Sequence, residues 1–401
     1  MSRGVNDKNA NGRKAEVSLT LLADDGKPIA NTEVRFEQTR HDFLFGCALP
    51  TWHRGNQEAE EPFKDVFSIL FNYLTTETAL KWRGLEPRKG QLNWKVVDRI
   101  VEWAESKRIA VKGYPLVWGN GPKGSGVPRW LLNKPDKEIA RQLYKRVRRV
   151  VERYASRMTC WDVINEPFHA TWFEDELGSG YMKEALGWVR EAAPQAKLLI
   201  NEYDLVGFDK ELARFIKLAK KLQEQGAPLD GIGLQCHPGS RWLRPDEIIS
   251  ACDRIGELGL EVHITELTVP IEKQPVKGRP EGGVWNEETQ AEYFDMFFRT
   301  AFAHPAVKAI TIWGLWDGMV WQNNSGIVRR DFSRKPVFDA LDKLINHEWR
   351  TTCVLKTDQR GECSFRGYLG QYHVETHAGS RKLTASFHLD GRSETASVAL
   401  A

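Results

Sequence analysis

Short apolar runs rich in β-branched residues alternate along the chain with longer stretches in which apolar side chains recur every three or four positions, from about residue 42 to residue 345. The runs FLFGCAL (43–49), FNYLTTE (71–77), AVKGYPLVW (110–118), TCWDVINE (159–166), KLLINEY (197–203), DGIGLQC (230–236), EVHITEL (261–267) and VKAITIWGL (307–315) read as strands. Between them the helical period predicts helices near 62–70, 95–107, 136–157, 181–193, 209–225, 245–259, 287–303 and 336–347. In the third, Ile139, Leu143, Val147, Val150, Val151 and Tyr154 share one face and Lys and Arg take the other, so that face needs a core to cover it. Eight strand-then-helix units predict an α/β fold of the (β/α)8 or TIM-barrel kind. A doubly wound sheet would want a glycine-rich phosphate loop after its first strand, and none follows residue 49.

The flanks carry a different period. Residues 16–37 alternate apolar and polar around Asp24-Asp25-Gly26-Lys27-Pro28, which predicts a β-hairpin with one buried face. Residues 351–400 alternate too, with turns at Gly361, Gly370, Gly379 and Gly391. Neither flank is large enough to bury a stable core alone. They are therefore expected to fold together as a split β-sandwich, 16–40 plus 349–401, around a barrel at 41–348 and behind a flexible stretch at 1–15. The segments DDGKPIANTEVRF and TDQRGECSF…GQYHV resemble a carboxypeptidase-regulatory-like (transthyretin-like) β-sandwich, expected to act as a brace rather than as a glycan-binding module.

Composition narrows the classes. With 41% hydrophobic and 28% charged residues the chain is neither disordered nor collagen-like, and no run approaches the ~18 apolar residues of a membrane span. Lys plus Arg number 57 against 54 acids, with no isolated basic block, so neither nucleic acid nor a membrane is an expected partner. Fifteen Trp offer flat faces suited to core filling or to stacking on sugars or bases, and composition does not separate these uses. The six Cys form no CxxC pair and no Cys/His zinc spacing. Cys353 and Cys363 bracket a predicted hairpin turn; a disulfide across it and two reduced, buried thiols both fit, the second being the simpler. The N-terminus, MSRGVNDKNANGRKAEV, has no apolar stretch behind its charges and is not a signal peptide.

Barrel geometry directs attention to the C-terminal ends of the strands, where catalytic groups of this fold lie. The second predicted strand ends at Glu77, with Lys81 beyond; the third at Trp118; the fourth at Asn165-Glu166; the fifth at Asn201-Glu202-Tyr203. The sixth ends near Gln235 and His237, the seventh at Glu266, and the eighth at Trp313, with Trp321 in the following loop. Glu166 and Glu266 are the strongest pair, since retaining glycosidic hydrolysis needs one carboxyl to protonate the leaving oxygen and another to attack the anomeric carbon. Asn165 would grip a sugar hydroxyl, and His237 would hold the Glu266 carboxylate. His263, three residues before Glu266, is expected to be structural. A metal-dependent hydrolase would have only Cys236, His237, His263 and Glu266 to draw on, and their alternation points them apart. A catalytically silent glycan-binding protein is the other rival, and keeping both carboxylates counts against it.

The segments FNYLTTETALKW (71–82), WDVINEP (161–167), INEY (200–203), DGIGLQCH (230–237), HITEL (263–267), TIWGLWDG…W (311–321) and GIVRRDFSRKPVF (326–338) resemble, in order, those of glycoside hydrolase family 10, typically endo-β-1,4-xylanases. The resemblance implies a retaining hydrolase acting on xylan or a related β-glycan, as polymer or oligosaccharide, without metal or organic cofactor. It implies Glu166 as acid/base, Glu266 as nucleophile and His237 orienting it, with Glu77, Lys81, Tyr114, Trp118, Asn165, Gln235, Trp313 and Trp321 around the sugar. Where Thr78 stands the family usually has Asn; where Tyr114 and Gly119 stand, His; and where Thr268 stands, an Asp that would orient the residue matching His237. Sugar fit near the cleavage point is therefore expected to differ from an ordinary xylanase, and a β-glycosidase acting on short or decorated oligosaccharides is the alternative. A polymeric substrate points to an extracellular or periplasmic location with the signal peptide missing from this chain; a cytoplasmic one, the oligomeric state and endo against exo action are left open.

Overall fold

The computed structural model describes residues 12–52, 57–378, 381–392 and 395–400. The chain divides into two compact units. One joins both chain ends, the residues up to Leu44 and from Ala340, with Phe302–Pro305; the other comprises Phe45–Ala301 and Ala306–Asp339.

Sixteen strands are described, β1 (Lys14–Ala23) and β2 (Glu33–His41), then β3 (Leu44–Leu49), β4 (Tyr73–Thr76), β5 (Ala110–Gly113), β6 (Val117–Trp118), β7 (Cys160–Asn165), β8 (Lys197–Glu202), β9 (Gly231–Cys236), β10 (Glu261–Leu267) and β11 (Val307–Ile312). They close with β12 (Thr352–Lys356), β13 (Glu362–Tyr368), β14 (Gly370–Ala378), β15 (Arg381–Leu389) and β16 (Thr395–Leu400). Strands β3 to β11 form one sheet in the order β5-β4-β3-β11-β10-β9-β8-β7-β6, and the further pairing of β5 with β7 shuts it into a barrel. With β5 and β6 as one interrupted stave, the parallel strands number eight. This is the (β/α)8 barrel that the alternation predicts.

The interruption is a departure from the expected continuous strand 110–118. Pro115 has no N–H to give the ladder, so the chain leaves the sheet over Tyr114–Leu116 and rejoins it through Leu116 N–H to the Asp162 carbonyl at 3.0 Å. At the closing seam Gly113 is required, because a Cβ there would lie 2.2 Å from the Trp161 ring. The helix Asp136–Tyr154 buries all six apolar residues expected of it. Inside the barrel Lys112 on β5 and Asp162 on β7 form a fully buried ion pair at 2.6 Å, with the buried His263 beside it.

In the other unit, β13-β1-β16 and β12-β2-β14-β15 form two sheets. Their inner faces meet in a core that includes Leu19, Leu21, Val34, Phe36, Tyr372, Val374 and Leu383. The hairpin expected at 16–37 does not form. It begins as one, with Ile29 N–H on the Leu21 carbonyl at 2.9 Å, but the chain turns away at Asn31, whose φ is 54°, and β1 and β2 enter different sheets. Alternation fixes which face of a strand is buried, not which strand lies beside it. For the same reason Cys353 on β12 and Cys363 on β13 lie in different sheets rather than across a hairpin, as half-buried free thiols packed against that core. Of the stretch expected to be flexible, residues 1–11 lie outside the described residues, whereas Lys14 and Ala15 already belong to β1.

Candidate active site

Glu166 follows the last residue of β7 with a φ of 54°, a left-handed conformation that a non-glycine residue adopts at a cost of about 1–3 kcal/mol and that gathers at functional sites. Its N–H donates to the Asn201 carbonyl at 2.7 Å, and its own carbonyl accepts the N–H groups of His169 (3.1 Å) and Ala170 (2.7 Å). The side chain accepts from Trp118 Nε1 at 2.8 Å on Oε2 and from Gln235 Nε2 at 3.0 Å on Oε1. Burial, and then the negative charge of Glu266, push the Glu166 carboxyl above its ordinary range, against the pull of those two donors. A carboxyl that holds its proton is what a general acid requires.

Glu266, buried on β10, has partners of its own. Oε1 accepts from Asn201 Nδ2 at 3.3 Å, and Oε2 faces His237 Nε2 at 3.4 Å. Asn201 is itself fixed: Thr265 Oγ1 donates to its Oδ1 at 2.5 Å, and its Nδ2 donates to Asn165 Oδ1 at 2.8 Å. Gly233 leaves room for this, since a Cβ there would lie 2.4 Å from Asn201 Oδ1. Gln235 Nε2 also reaches Asn165 Oδ1, at 3.5 Å. The amides of Asn165, Asn201 and Gln235 thus tie the two carboxyl groups into one network.

Aromatic walls surround the pair. Trp313 is buried edge-on against Tyr114, centroids 5.0 Å apart, with Ala48 beside them. Trp321 is 56% exposed, donates from Nε1 to Thr268 Oγ1 at 3.3 Å, and stands edge-on to His237 at 5.0 Å. The Lys81 ammonium lies 5.3 Å from the centre of the Trp118 ring. Burial raises the Glu77 carboxyl, with Lys81 opposing and Glu266 adding to the rise. Beyond Glu166 the buried Glu202 accepts from His169 Nδ1 at 3.0 Å and from the Phe168 and Tyr203 N–H groups, and the His169 and Tyr203 rings stack at 3.9 Å.

The residues singled out from sequence therefore stand around one mouth, Trp118 doing so as a donor to Glu166. Three local departures have structural consequences. A Cβ at Gly119 would lie 2.4 Å from the Ala170 carbonyl, where β6 runs on to bridge Thr171, so the loop after Glu166 occupies space that a larger residue would need. Thr78 shares a 2.5 Å hydrogen bond with Thr51. Thr268 donates to the Trp313 carbonyl at 3.0 Å instead of gripping His237, and among the described residues the buried Nδ1 of His237 has no hydrogen-bond partner. Asn201 and Thr265 were not among the expected site residues. The strand-end position of Asn201 is the signal for it; Thr265, inside a strand, gives none. No group of three His, Cys, Asp or Glu side chains among the described residues is arranged to hold a metal ion.

The family model for glycosyl hydrolase family 10 matches residues 36–344. The chain belongs to glycosyl hydrolase family 10. Among family relatives, endo-1,4-beta-xylanase 2 of Arabidopsis thaliana is 29% identical over 386 residues, covering 94% of this chain and 34% of that protein, so the chain spans about a third of the relative's length. Native xylanase 10B of Thermotoga maritima is 28% identical with a TM-score of 0.67, over 76% of this chain and 95% of that one. Xylanase 10B of Thermotoga petrophila RKU-1, solved in complex with xylobiose, is 28% identical with a TM-score of 0.66, over 76% and 94%. In this family 10 chain the networked carboxyls of Glu166 and Glu266 stand at strand ends of a barrel whose third stave is split.

Proposed function

We propose that the protein is a retaining glycoside hydrolase that cleaves internal β-1,4 linkages of xylan or a closely related β-glycan. The observation that carries this reading is the unequal setting of two networked carboxyls: Glu166 is pushed up by burial and by Glu266, while Glu266 takes hydrogen bonding from Asn201 and faces His237. In the first step Glu166 gives its proton to the glycosidic oxygen as a Glu266 oxygen attacks the anomeric carbon, and the bond to the departing sugar breaks. In the second, Glu166 takes a proton from water, the water oxygen attacks the same carbon, and the carboxylate of Glu266 leaves. Both displacements invert, so the configuration is retained.

Glu77 and Lys81 are assigned to the sugar on the non-reducing side of the cleavage point, Trp118, Asn165, Gln235 and His237 to the reacting sugar, and Trp313 and Trp321 to its aromatic walls. The departures at Tyr114 and Thr268 favour a second reading, action on short or decorated oligosaccharides. We further assign the protein to an extracellular or periplasmic location, where polymeric substrate is met, and its β-sandwich to the carboxypeptidase-regulatory-like class. Reducing-end release from glucuronoxylan, arabinoxylan, mixed-linkage β-glucan and linear xylo-oligosaccharides separates these readings. Falling viscosity of xylan with a ladder of products is expected; turnover confined to short oligosaccharides would favour the second reading, and release from glucan but not xylan would overturn the assigned substrate.

A further inference from the structure

The left-handed backbone of Glu166 costs free energy that surrounding contacts must supply. Two consecutive residues of β8 hold the chain on either side of it. The Asn201 carbonyl takes the Glu166 N–H at 2.7 Å, and Oε2 of Glu202 takes the Phe168 N–H at 2.9 Å. Oε1 of Glu202 accepts from the Tyr203 N–H at 2.9 Å and from His169 Nδ1 at 3.0 Å. All three partners donate, which suits an ionised carboxyl, an acceptor only. None of the Glu202 side chain is exposed, and His169 is pinned a second time by stacking on the Tyr203 ring at 3.9 Å. Phe168 is anchored too, edge-on to Phe215 and with the Arg214 guanidinium 4.1 Å from its ring centre. The turn 166–170 thus closes on the Glu166 carbonyl, through the N–H groups of His169 and Ala170, and on the Glu202 carboxylate.

We infer that Glu202 is a positioning residue whose carboxylate ties the turn 166–170 to β8 and so keeps the Glu166 carboxyl aimed at the glycosidic oxygen, a role resting on the assignment of Glu166 as acid/base proposed above. Trp118 and Gln235 fix the far end of the Glu166 side chain; Glu202 fixes the backbone it springs from. After burial and the charge of Glu266, the Glu202 charge is a further, smaller push on Glu166 toward its protonated form. In the first step the proton passes from Glu166 to the leaving oxygen as the bond from that oxygen to the anomeric carbon breaks, and a carboxyl out of place by a fraction of an ångström transfers it poorly. A leaving group that departs as a stable anion needs no such proton. Loosening the turn is therefore felt only where the leaving oxygen is basic, whereas loss of a residue that merely supports the fold lowers turnover of every substrate alike.

The test compares kcat/KM of the full chain on phenyl and 2,4-dinitrophenyl β-xylobiosides and β-cellobiosides, because kcat/KM reports the first step for every one of them. In Glu202→Gln one oxygen becomes an NH2 group that faces a donor whichever way the amide turns, so a contact to the turn or to Tyr203 is lost. The expected result is a kcat/KM about tenfold lower on the phenyl glycoside and changed less than about twofold on the dinitrophenyl one. His169→Phe keeps the stack on Tyr203 and removes only the Nδ1 donor from a partly exposed side chain; the same contrast, about threefold, is expected there and decides the matter if Glu202→Gln does not fold. Glu166→Ala, run alongside, is expected to show a larger contrast of the same kind. Equal losses on the two leaving groups in Glu202→Gln, or no loss on either, overturn the inference, and a contrast in Glu166→Ala then leaves the acid/base assignment standing. Equal losses in Glu166→Ala overturn that assignment and the role of Glu202 with it, as does wild-type turnover of none of the four glycosides.

Discussion

Trp118 Nε1 donates to Oε2 of Glu166 at 2.8 Å, so an indole expected to line the sugar site is a hydrogen-bond donor to the carboxyl proposed as acid/base. A donor stabilises the carboxylate and lowers its proton affinity. In Trp118→Phe that stabilisation is gone and Glu166 holds its proton more tightly. The basic limb of the kcat/KM profile is predicted to move to higher pH, with activity at the optimum reduced by roughly tenfold. The pH profile on an aryl β-xylobioside checks this, and a limb that stays in place contradicts it.

The division of labour proposed for the two carboxyls predicts opposite stereochemistry on rescue. Glu266→Ala and Glu166→Ala should each lose about four orders of magnitude in kcat on xylan. Azide added to the first fills the nucleophile's place and attacks once, giving an inverted α-glycosyl azide. With Glu166→Ala and an activated aryl glycoside, azide attacks the glycosyl-enzyme and gives the retained β-azide. Exchanged products would reverse the assignment.

Burial raises the carboxyls of Glu77, Glu166 and Glu202 above their ordinary range. Between the unfolded value and the raised folded value the native state binds more protons than the unfolded one, so stability falls as pH climbs through that window and stays lower above it. Glu166→Gln removes one such group. Its melting temperature at pH 7 is predicted to exceed the wild type's by about 2 °C, and the gain should vanish near pH 3.5, an assay condition below the ordinary value of 4.5. Thermal melts at the two pH values measure it.

The ion pair between Lys112 and Asp162 is sealed inside the barrel. Lys112→Met strands an acid whose carboxyl burial already pushes upward, and should cost about 3–5 kcal/mol at neutral pH. Lys112→Met with Asp162→Leu should recover most of that loss. Urea unfolding of the two variants decides; equal destabilisation would contradict it.

Thr268 Oγ1 donates to the Trp313 carbonyl and accepts from Trp321 Nε1, binding one aromatic wall to the other. Thr268→Val keeps shape and removes both bonds. A KM for xylo-oligosaccharides several-fold higher, with kcat changed less than twofold, is predicted from steady-state kinetics. A fall in kcat alone would place Thr268 in the chemistry instead.

Much of this arrangement was legible in the sequence because a barrel binds position in the chain to position in space. Once eight strands are counted, each strand-end polar residue falls at one mouth, which is how Glu166, Glu266 and Gln235 could be named. Pairing was less legible. The alternation in 16–37 gave the buried face of β1 and β2 but not their separate sheets, and Pro115 was the visible reason for a split that the apolar run 110–118 concealed. Side-chain direction was the least legible. The turn of the Trp118 indole toward Glu166, the hold of Thr265 on Asn201 and the clearance needed at Gly119 all depend on neighbours from other staves.

The central claim is double displacement by Glu166 and Glu266. Proton NMR of xylohexaose during the first minutes of hydrolysis, before mutarotation mixes the anomers, tests it most directly. The β-anomer of the newly formed reducing ends is predicted to appear first, with the α-anomer growing in only as mutarotation proceeds; α-anomer appearing first would mean a single displacement and contradict the account.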